Sequence, residues 1–197
     1  MGTSLTLKAA IGVGAFDAIN QTLAYVFDAR IGDIVTVVQI IFIVGQFIIL
    51  KKSANYRILL QIPLAAIFGQ FINFFLYDVY SFFEVENYFI RLLMLIIGIT
   101  WVAFFLSGVM VLDLITMPVE NFSLILSNRI EQPFGKVRQW IDILCIILSL
   151  ALTFIFTVDF TIREGTIIAA ILFGPLLTVF MPVFERIFTQ WDIIEHH

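Results

Sequence analysis

The sequence has few charged residues. Only 13 per cent of its 197 residues are Asp, Glu, Lys or Arg, whereas a soluble domain carries about 25 per cent. Apolar residues make up 61 per cent of the chain, compared with roughly 45 to 50 per cent in soluble proteins. Because so few polar groups are available to cover a surface in water, we predict an integral membrane protein that is surrounded by a lipid bilayer.

Cysteine and histidine are also scarce. Cys145 is the single cysteine and lies in an apolar run, which excludes an internal disulfide and a cysteine-based metal site. His196 and His197 end the chain and resemble a tag remnant. The chain has no Gly-rich phosphate loop, no HExxH or GxSxG motif, and no basic surface interleaved with aromatic residues. We therefore predict no enzymatic activity, no metal or other cofactor, and no nucleic-acid partner.

Long apolar stretches dominate the rest of the chain. A membrane-spanning helix needs about 20 apolar residues, so the length accommodates six helices in a single transmembrane domain. The first helix is predicted to break near Gly12–Gly14 and to resume as a short helix, and the fourth to continue as a short helix after Pro118. The predicted helices cover residues 3–12 with 15–27, 34–50, 59–76, 88–112 with 118–127, 137–158 and 166–188.

One segment occurs twice, once in each half. GVGAFDAINQTLAYVFDARIGD begins at Gly12, and LITMPVENFSLILSNRIEQPFGK begins at Leu114. A constant offset of 103 residues aligns Asp17 with Glu120 and Gly32 with Gly135. We predict an all-α membrane protein whose six transmembrane helices form two three-helix inverted repeats with broken first helices, at about residues 1–80 and 88–190. Three helices per repeat is an odd number, so the second repeat enters the membrane from the opposite side.

The distribution of basic residues orients the chain. Seven Lys and Arg residues fall on one predicted side of the membrane and three on the other, so the positive-inside rule places both termini in the cytoplasm. The N-terminal stretch MGTSLTLKAAI is shorter than its counterpart in the second half. We expect roughly ten to fifteen residues of the first helix to lie upstream, since a complete span needs about 20.

Each short helix begins with a carboxylate. Asp17 follows the Gly12–Gly14 break and Glu120 follows Pro118, where a negative charge stabilises a helix start by about 0.3 to 1 kcal/mol. A solute pathway is the alternative interpretation, because ionisable groups inside a membrane commonly mark one. The carboxylates share a helix face with other polar residues, a pattern that also fits an interfacial amphipathic helix. These polar faces comprise Asp17, Asn20 and Gln21 in the first copy and Glu120, Ser123 and Ser127 in the second.

Further polar residues fall within the predicted spans. Gln39 and Asp142 are equivalent at the offset of 103, and Arg138 is spaced to pair with Asp142 at i, i+4. Lys8 is placed either to pair with Asp17 or to extend towards the membrane surface. We expect Asp17 to lie towards the outer side of the membrane and Glu120 towards the cytoplasm. This arrangement favours two gates, or two halves flanking a central path, over a single shared centre with two carboxylates.

The repeated segments carry a family resemblance. GTSLTLKAAIGVGAFDAINQTLA, PVENFSLILSNRIEQPFGKVRQWID and EGTIIAAILFGPLL resemble the YczE branch of the YczE/YyaS/YitT group of bacterial membrane proteins. Ala15, Met117 and Glu120 depart from that pattern, which has proline, glycine and aspartate at these positions. The resemblance implies a six-span, multi-pass protein of the bacterial cytoplasmic membrane.

Three functions are compatible with these patterns. The first is a secondary transporter or permease for an unidentified small solute, with its site at the interface of the inverted repeats. The second is the substrate-binding membrane component of a multi-subunit importer, and the third is a non-transporting assembly or regulatory factor. A homo-oligomer is compatible with all three.

Overall fold

Helices make up most of the described part of the chain. The computed structural model describes residues 1–51, 55–82, 87–112 and 116–190, and these contain no strand. The terminal residues His196 and His197 lie outside this part. The helices are α1 (Gly2–Ala9), α2 (Ala15–Phe27), α3 (Ile31–Leu50), α4 (Gln61–Asn73), α5 (Tyr88–Val111), α6 (Pro118–Ile130), α7 (Phe134–Phe156) and α8 (Glu164–Gln190).

Five helical segments are long and apolar enough to cross a membrane. They are Ile31–Leu50, Tyr56–Val79, Tyr88–Val111, Phe134–Phe156 and Glu164–Thr189. The second comprises a 3₁₀ turn (Tyr56–Ile58), α4 and a π-helical extension (Phe74–Val79). These helices confirm the prediction of a multi-pass membrane protein. The first predicted span is represented by two shorter helices, α1 and α2.

The break in the first helix lies where the sequence predicts it. α1 ends at Ala9, Gly12 has a φ of 122°, and α2 begins at Ala15. Only glycine adopts such a φ readily, because it has no Cβ. The predicted turn after α2 is too long, since Asp28 closes α2 in the left-handed region and α3 begins three residues later. The predicted helix 59–76 ends too early, because the helical segment continues to Val79.

Three hydrogen bonds join this break to the start of α8. The Gly165 N–H donates to the Ile11 carbonyl at 2.8 Å, and the Arg163 guanidinium donates to the Ala10 carbonyl at 2.9 Å. The Val13 N–H donates to the Thr166 hydroxyl at 3.3 Å. These backbone groups at the break have no partners within a helix. They bond instead to residues at the start of α8, because buried peptide groups need hydrogen-bond partners. We call these three hydrogen bonds the α8 clamp.

The helix boundaries repeat with the offset of the sequence. α2 and α6 begin at Ala15 and Pro118, and α3 and α7 begin at Ile31 and Phe134. α4 and α8 begin at residues 61 and 164. All three pairs of starts differ by 103 residues, so the duplicated sequence produces helices with the same starting points.

Small residues bring several helices close together. Gly2 lies against Val102 and Thr6 lies against Gly98, so α1 and α5 run in opposite directions. A Cβ added to Gly32 would overlap the Gly69 carbonyl oxygen, which shows how closely α3 approaches α4. Such contacts are typical of membrane helices, where packing depends on van der Waals contact between helix backbones.

Polar side chains also join α3 to α4. Asp33 accepts hydrogen bonds from Gln70 at 3.1 Å and Asn73 at 2.9 Å, and Asn73 accepts one from the Gly32 N–H. Uncharged polar side chains commonly donate such hydrogen bonds between membrane helices. Each short helix, by contrast, packs mainly on a long helix of the other half: α2 on α7, and α6 on α3. This exchange places the starts of α2 and α6 in the same region.

Candidate functional site

The short helices α2 and α6 meet against α7 around an apolar cluster. Its buried members are Ile19, Val119, Val137, Ile141 and Cys145. Phe16, Phe42 and Phe122 pack against them, with ring centroids 5.9 Å apart for Phe16 and Phe42 and 5.2 Å for Phe42 and Phe122. These side chains fix the relative positions of α2, α3, α6 and α7.

Four charged groups lie beside this apolar cluster. Arg138 forms an ion pair with Asp142 one turn later on α7, and one of its nitrogens lies 3.8 Å from Glu120 on α6. Asp17 on α2 lies within electrostatic range of Arg138, Glu120 and Asp142. We call Asp17, Glu120, Arg138 and Asp142 the carboxylate cluster. It draws one carboxylate from each of the two short helices and both members of the ion pair from α7.

The carboxylate cluster corrects one expectation and confirms another. The sequence favours separate positions for Asp17 and Glu120, whereas the structure places both within electrostatic range of Arg138 and of each other. They come together because α2 packs on α7 and α6 packs on α3, in each case a helix from the other half of the chain. The predicted ion pair between Arg138 and Asp142 is present.

Two uncharged candidates are buried with an oxygen that has no hydrogen-bond partner. Asn20 is fully buried one turn after Asp17, and its amide nitrogen donates to the Phe16 carbonyl. Gln39 is 1 per cent exposed and lies one turn before Phe42 on α3. Asn20 Oδ1, Gln39 Oε1 and Glu120 Oε2 each lack a partner among the described residues. Such atoms are unusual in folded proteins, and each calls for an explanation.

The remaining candidates bond elsewhere. Gln21 donates to the Tyr25 hydroxyl on the exposed side of α2. Ser123 and Ser127 donate to carbonyls of their own helix, those of Val119 and Leu124. Within the described residues, Lys8 forms no ion pair with Asp17. The repeated polar residues therefore have different roles. The carboxylates lie near Arg138, whereas the serine hydroxyls donate to carbonyls of their own helix.

Two buried polar networks flank the cluster and were not singled out from the sequence. Gln46 donates to Gln61 and to the Pro118 carbonyl, both at 2.9 Å, and accepts from Asn121. It thereby joins the end of α3, the start of α4 and the start of α6.

The second network consists of the buried hydroxyls of Thr22, Ser149 and Thr161. Their oxygens lie 2.7, 2.8 and 3.1 Å apart, and they join α2, α7 and the segment before α8. Gln46 and Ser149 are equivalent at the offset of 103, so a search for polar pairs at that spacing would have found both networks.

The charges of the cluster do not balance. Three carboxylates face a single guanidinium, so full ionisation would leave a net charge of −2 in a mostly buried place. Side-chain exposure is 12 per cent for Glu120, 16 per cent for Arg138 and 33 per cent for Asp142. Asp142 therefore forms the accessible edge of the cluster. A bound proton or cation would lower the electrostatic cost of burying this excess negative charge.

The described residues provide no metal site, and the groove found on their surface lies away from the carboxylate cluster. Among the described residues, no group of three His, Cys, Asp or Glu side chains is arranged to hold a metal ion. A groove of about 390 Å³ lies on α4, lined by Ala66, Ile67, Gln70, Phe71 and Phe74. None of its lining residues belongs to the carboxylate cluster, and the apolar lining suits contact with lipid chains.

Comparison with known proteins supports the wider resemblance. The model of a family of unknown function, DUF6198, matches residues 1–182. The Uncharacterized protein YyaS of Bacillus subtilis (strain 168) is 25 per cent identical over 188 residues, which cover 95 per cent of this chain and 89 per cent of that protein. No solved structure matches. These matches agree with the YczE/YyaS group as a whole and do not single out its YczE branch.

Proposed function

The chain belongs to the family of unknown function DUF6198, and we propose, from the geometry of the carboxylate cluster, that it is a secondary transporter for a small solute. The solute site is the carboxylate cluster, at the junction of the two repeats. The observation that carries the proposal is the position of two carboxylates from the starts of the two short helices. Glu120 lies 3.8 Å from Arg138 on α7, and Asp17 lies within electrostatic range of both. Ionisable residues are costly inside a membrane and typically mark a path for ions or substrates.

Helix directions support an inverted repeat. α1 and α5 are the equivalent first helices of the two halves, and they run antiparallel. Equivalent helices run in opposite directions when an axis in the membrane plane relates the repeats. On this view α1 and α2 together form the sixth crossing, as one broken helix. The exchange of packing partners, α2 on α7 and α6 on α3, is consistent with the same axis.

Secondary transporters with inverted repeats place their solute at the repeat interface, where discontinuous helices end. We assign the carboxylate cluster to the corresponding place in this chain. The assignment is supported by the non-helical residues Gly14 and Met117, which directly precede α2 and α6. The basic loops orient the protein with both termini in the cytoplasm of a bacterial cell. Alternating access then moves one repeat against the other around the cluster.

Flux in proteoliposomes tests the proposal. Vesicles containing the purified protein are assayed for counterflow with radiolabelled amino acids, amines, sugars, nucleosides and carboxylates. We expect one class to exchange, and we expect Asp17→Asn and Glu120→Gln to lower its rate at least tenfold. Glu131→Gln is the matched control, because it removes an exposed charge next to α6. Unchanged flux in both cluster variants would refute the proposed site.

A non-transporting assembly or regulatory factor is the second candidate. In this role the apolar groove on α4, which contains no member of the carboxylate cluster, would be a surface for another membrane protein. Absence of exchange for every solute class, together with stable co-purification of another membrane protein, would favour this role. Co-purification with an ATPase module would instead indicate the substrate-binding component of an importer.

A further inference from the structure

The buried polar atoms without partners are all hydrogen-bond acceptors. Asn20 Oδ1, Gln39 Oε1 and Glu120 Oε2 are oxygens, and the described residues contain no buried side-chain donor in the same condition. A buried acceptor left without a donor is unfavourable, because it has lost its hydrogen bonds with water and gained none in exchange. These oxygens belong to α2, α3 and α6, and α3 packs on both of the other helices. A ligand that supplies N–H groups between these helices would remove this cost.

The charge of the region favours the same kind of ligand. The carboxylate cluster has three acids and one base, and its single guanidinium is already shared between Glu120 and Asp142. Glu120 keeps one oxygen unbonded while the other lies 3.8 Å from Arg138. A ligand carrying one positive charge would offset part of the excess negative charge, whereas an anion would increase it.

An aromatic wall adjoins the charges. Phe16, Phe42 and Phe122 form a chain of ring contacts in the apolar cluster that also contains Cys145. Val119 and Ile141 of the apolar cluster are the chain neighbours of Glu120 and Asp142, so the apolar cluster and the carboxylate cluster are contiguous. Aromatic rings attract cations through their faces and also bury apolar groups. The region thus combines acceptors, excess negative charge and apolar surface.

We propose that this site binds a small organic cation, a primary ammonium group carried on an apolar body. The ammonium donates to Glu120 and to the unpartnered amide oxygens, and the apolar body packs on the phenylalanine rings. The inference deepens the proposed function by naming its substrate class, and it rests on that function only for passage across the membrane. Binding itself is tested separately from flux.

Binding to the full-length protein in detergent micelles tests this chemistry. Three probes of similar size are compared by titration calorimetry: 2-phenylethylammonium, benzyltrimethylammonium and 2-phenylethanol. We expect 2-phenylethylammonium to bind at least tenfold more tightly than the other two, because only it combines a positive charge with N–H donors. Equal binding of 2-phenylethanol, or no binding of the ammonium probe, would overturn the inference; the second result would leave protons as the cations of the cluster.

Variants locate the binding. Glu120→Gln is expected to weaken 2-phenylethylammonium binding at least tenfold and Asn20→Leu at least threefold, whereas Glu131→Gln leaves it unchanged. Asp17→Asn, with an expected tenfold loss, serves as the second variant if Glu120→Gln is not monodisperse on gel filtration. Wild-type affinity in the Asp17 and Glu120 variants would overturn the assignment of the site.

Flux separates this inference from the transporter proposal. Ammonium binding at Glu120 without exchange in proteoliposomes would support the inference and count against transport. Exchange of a neutral or anionic solute, without ammonium binding, would leave the transporter in place and overturn the inference.

Discussion

Arg138 is the residue on which the carboxylate cluster depends, because it is the one basic group among three acids. Replacing it with glutamine leaves the carboxylates without their counter-charge. Removal of one partner from a buried ion pair costs about 3 to 5 kcal/mol. We expect a loss near the lower end, about 3 kcal/mol, since Asp142 keeps a third of its side chain exposed. Unfolding of the purified protein measures the loss.

Two further variants make this prediction specific. Arg129→Gln removes an exposed charge from the last turn of α6 and should change stability by less than about 1 kcal/mol. Adding Asp142→Asn to Arg138→Gln should restore part of the stability, because one uncompensated carboxylate disappears. Equal losses in the Arg138 and Arg129 variants would contradict the role given to Arg138.

The hydroxyl cluster around Ser149 makes a second prediction at the residue scale. Ser149→Ala removes a group bonded to both Thr22 and Thr161 at a fully buried position. We expect a loss of about 1 to 3 kcal/mol, the cost of leaving buried polar groups without a partner. Ser127→Ala should cost less, because that hydroxyl bonds only within its own helix. Thermal unfolding of both variants under identical conditions compares them.

At the scale of helices, Gly32 and Gly135 are equivalent in the repeat but differ in their surroundings. A Cβ at Gly32 would overlap the Gly69 carbonyl and the Asn73 side chain, whereas a Cβ at Gly135 would meet nothing within 4 Å. Gly32→Ala should therefore separate α3 from α4 and destabilise the protein. Gly135→Ala should be neutral or stabilise it by up to about 1 kcal/mol, because alanine favours a helix. Urea unfolding of the two variants checks both signs, and a loss from both would contradict the packing.

The sequence predicted the helices far better than their partners. Gly12, Gly14 and Pro118 are local signals, and α2 and α6 begin where those signals place them. The α8 clamp has no local signal, because it joins residues about 150 positions apart in the chain. The carboxylate cluster was missed for the same reason. The order of the helices indicated that the chain reaches Asp17 and Glu120 from opposite sides of the membrane, but it did not indicate that α2 and α6 begin in the same region.

At the scale of the whole molecule, the proposed inverted repeat predicts that the turns after α2 and α6 lie on opposite sides of the membrane. Asp28 and Glu131 are exposed residues that end α2 and α6 in the left-handed region, with φ of 48° and 55°. In a Cys145→Ala background, Asp28→Cys should react with a membrane-impermeant maleimide in intact cells. Glu131→Cys should react only after permeabilisation, because the positive-inside rule places its turn in the cytoplasm. Reaction of both from the same side would exclude the inverted arrangement.

The α8 clamp also constrains how the protein is made. Ribosomes add roughly 5 to 20 residues per second, so Gly165 is synthesised roughly 8 to 30 s after Ile11. Throughout that interval the carbonyls of Ala10 and Ile11 lack the donors that they have in the finished protein. The first helix therefore enters the membrane with its break unsecured, and the break gains its partners only after the start of α8 has been synthesised.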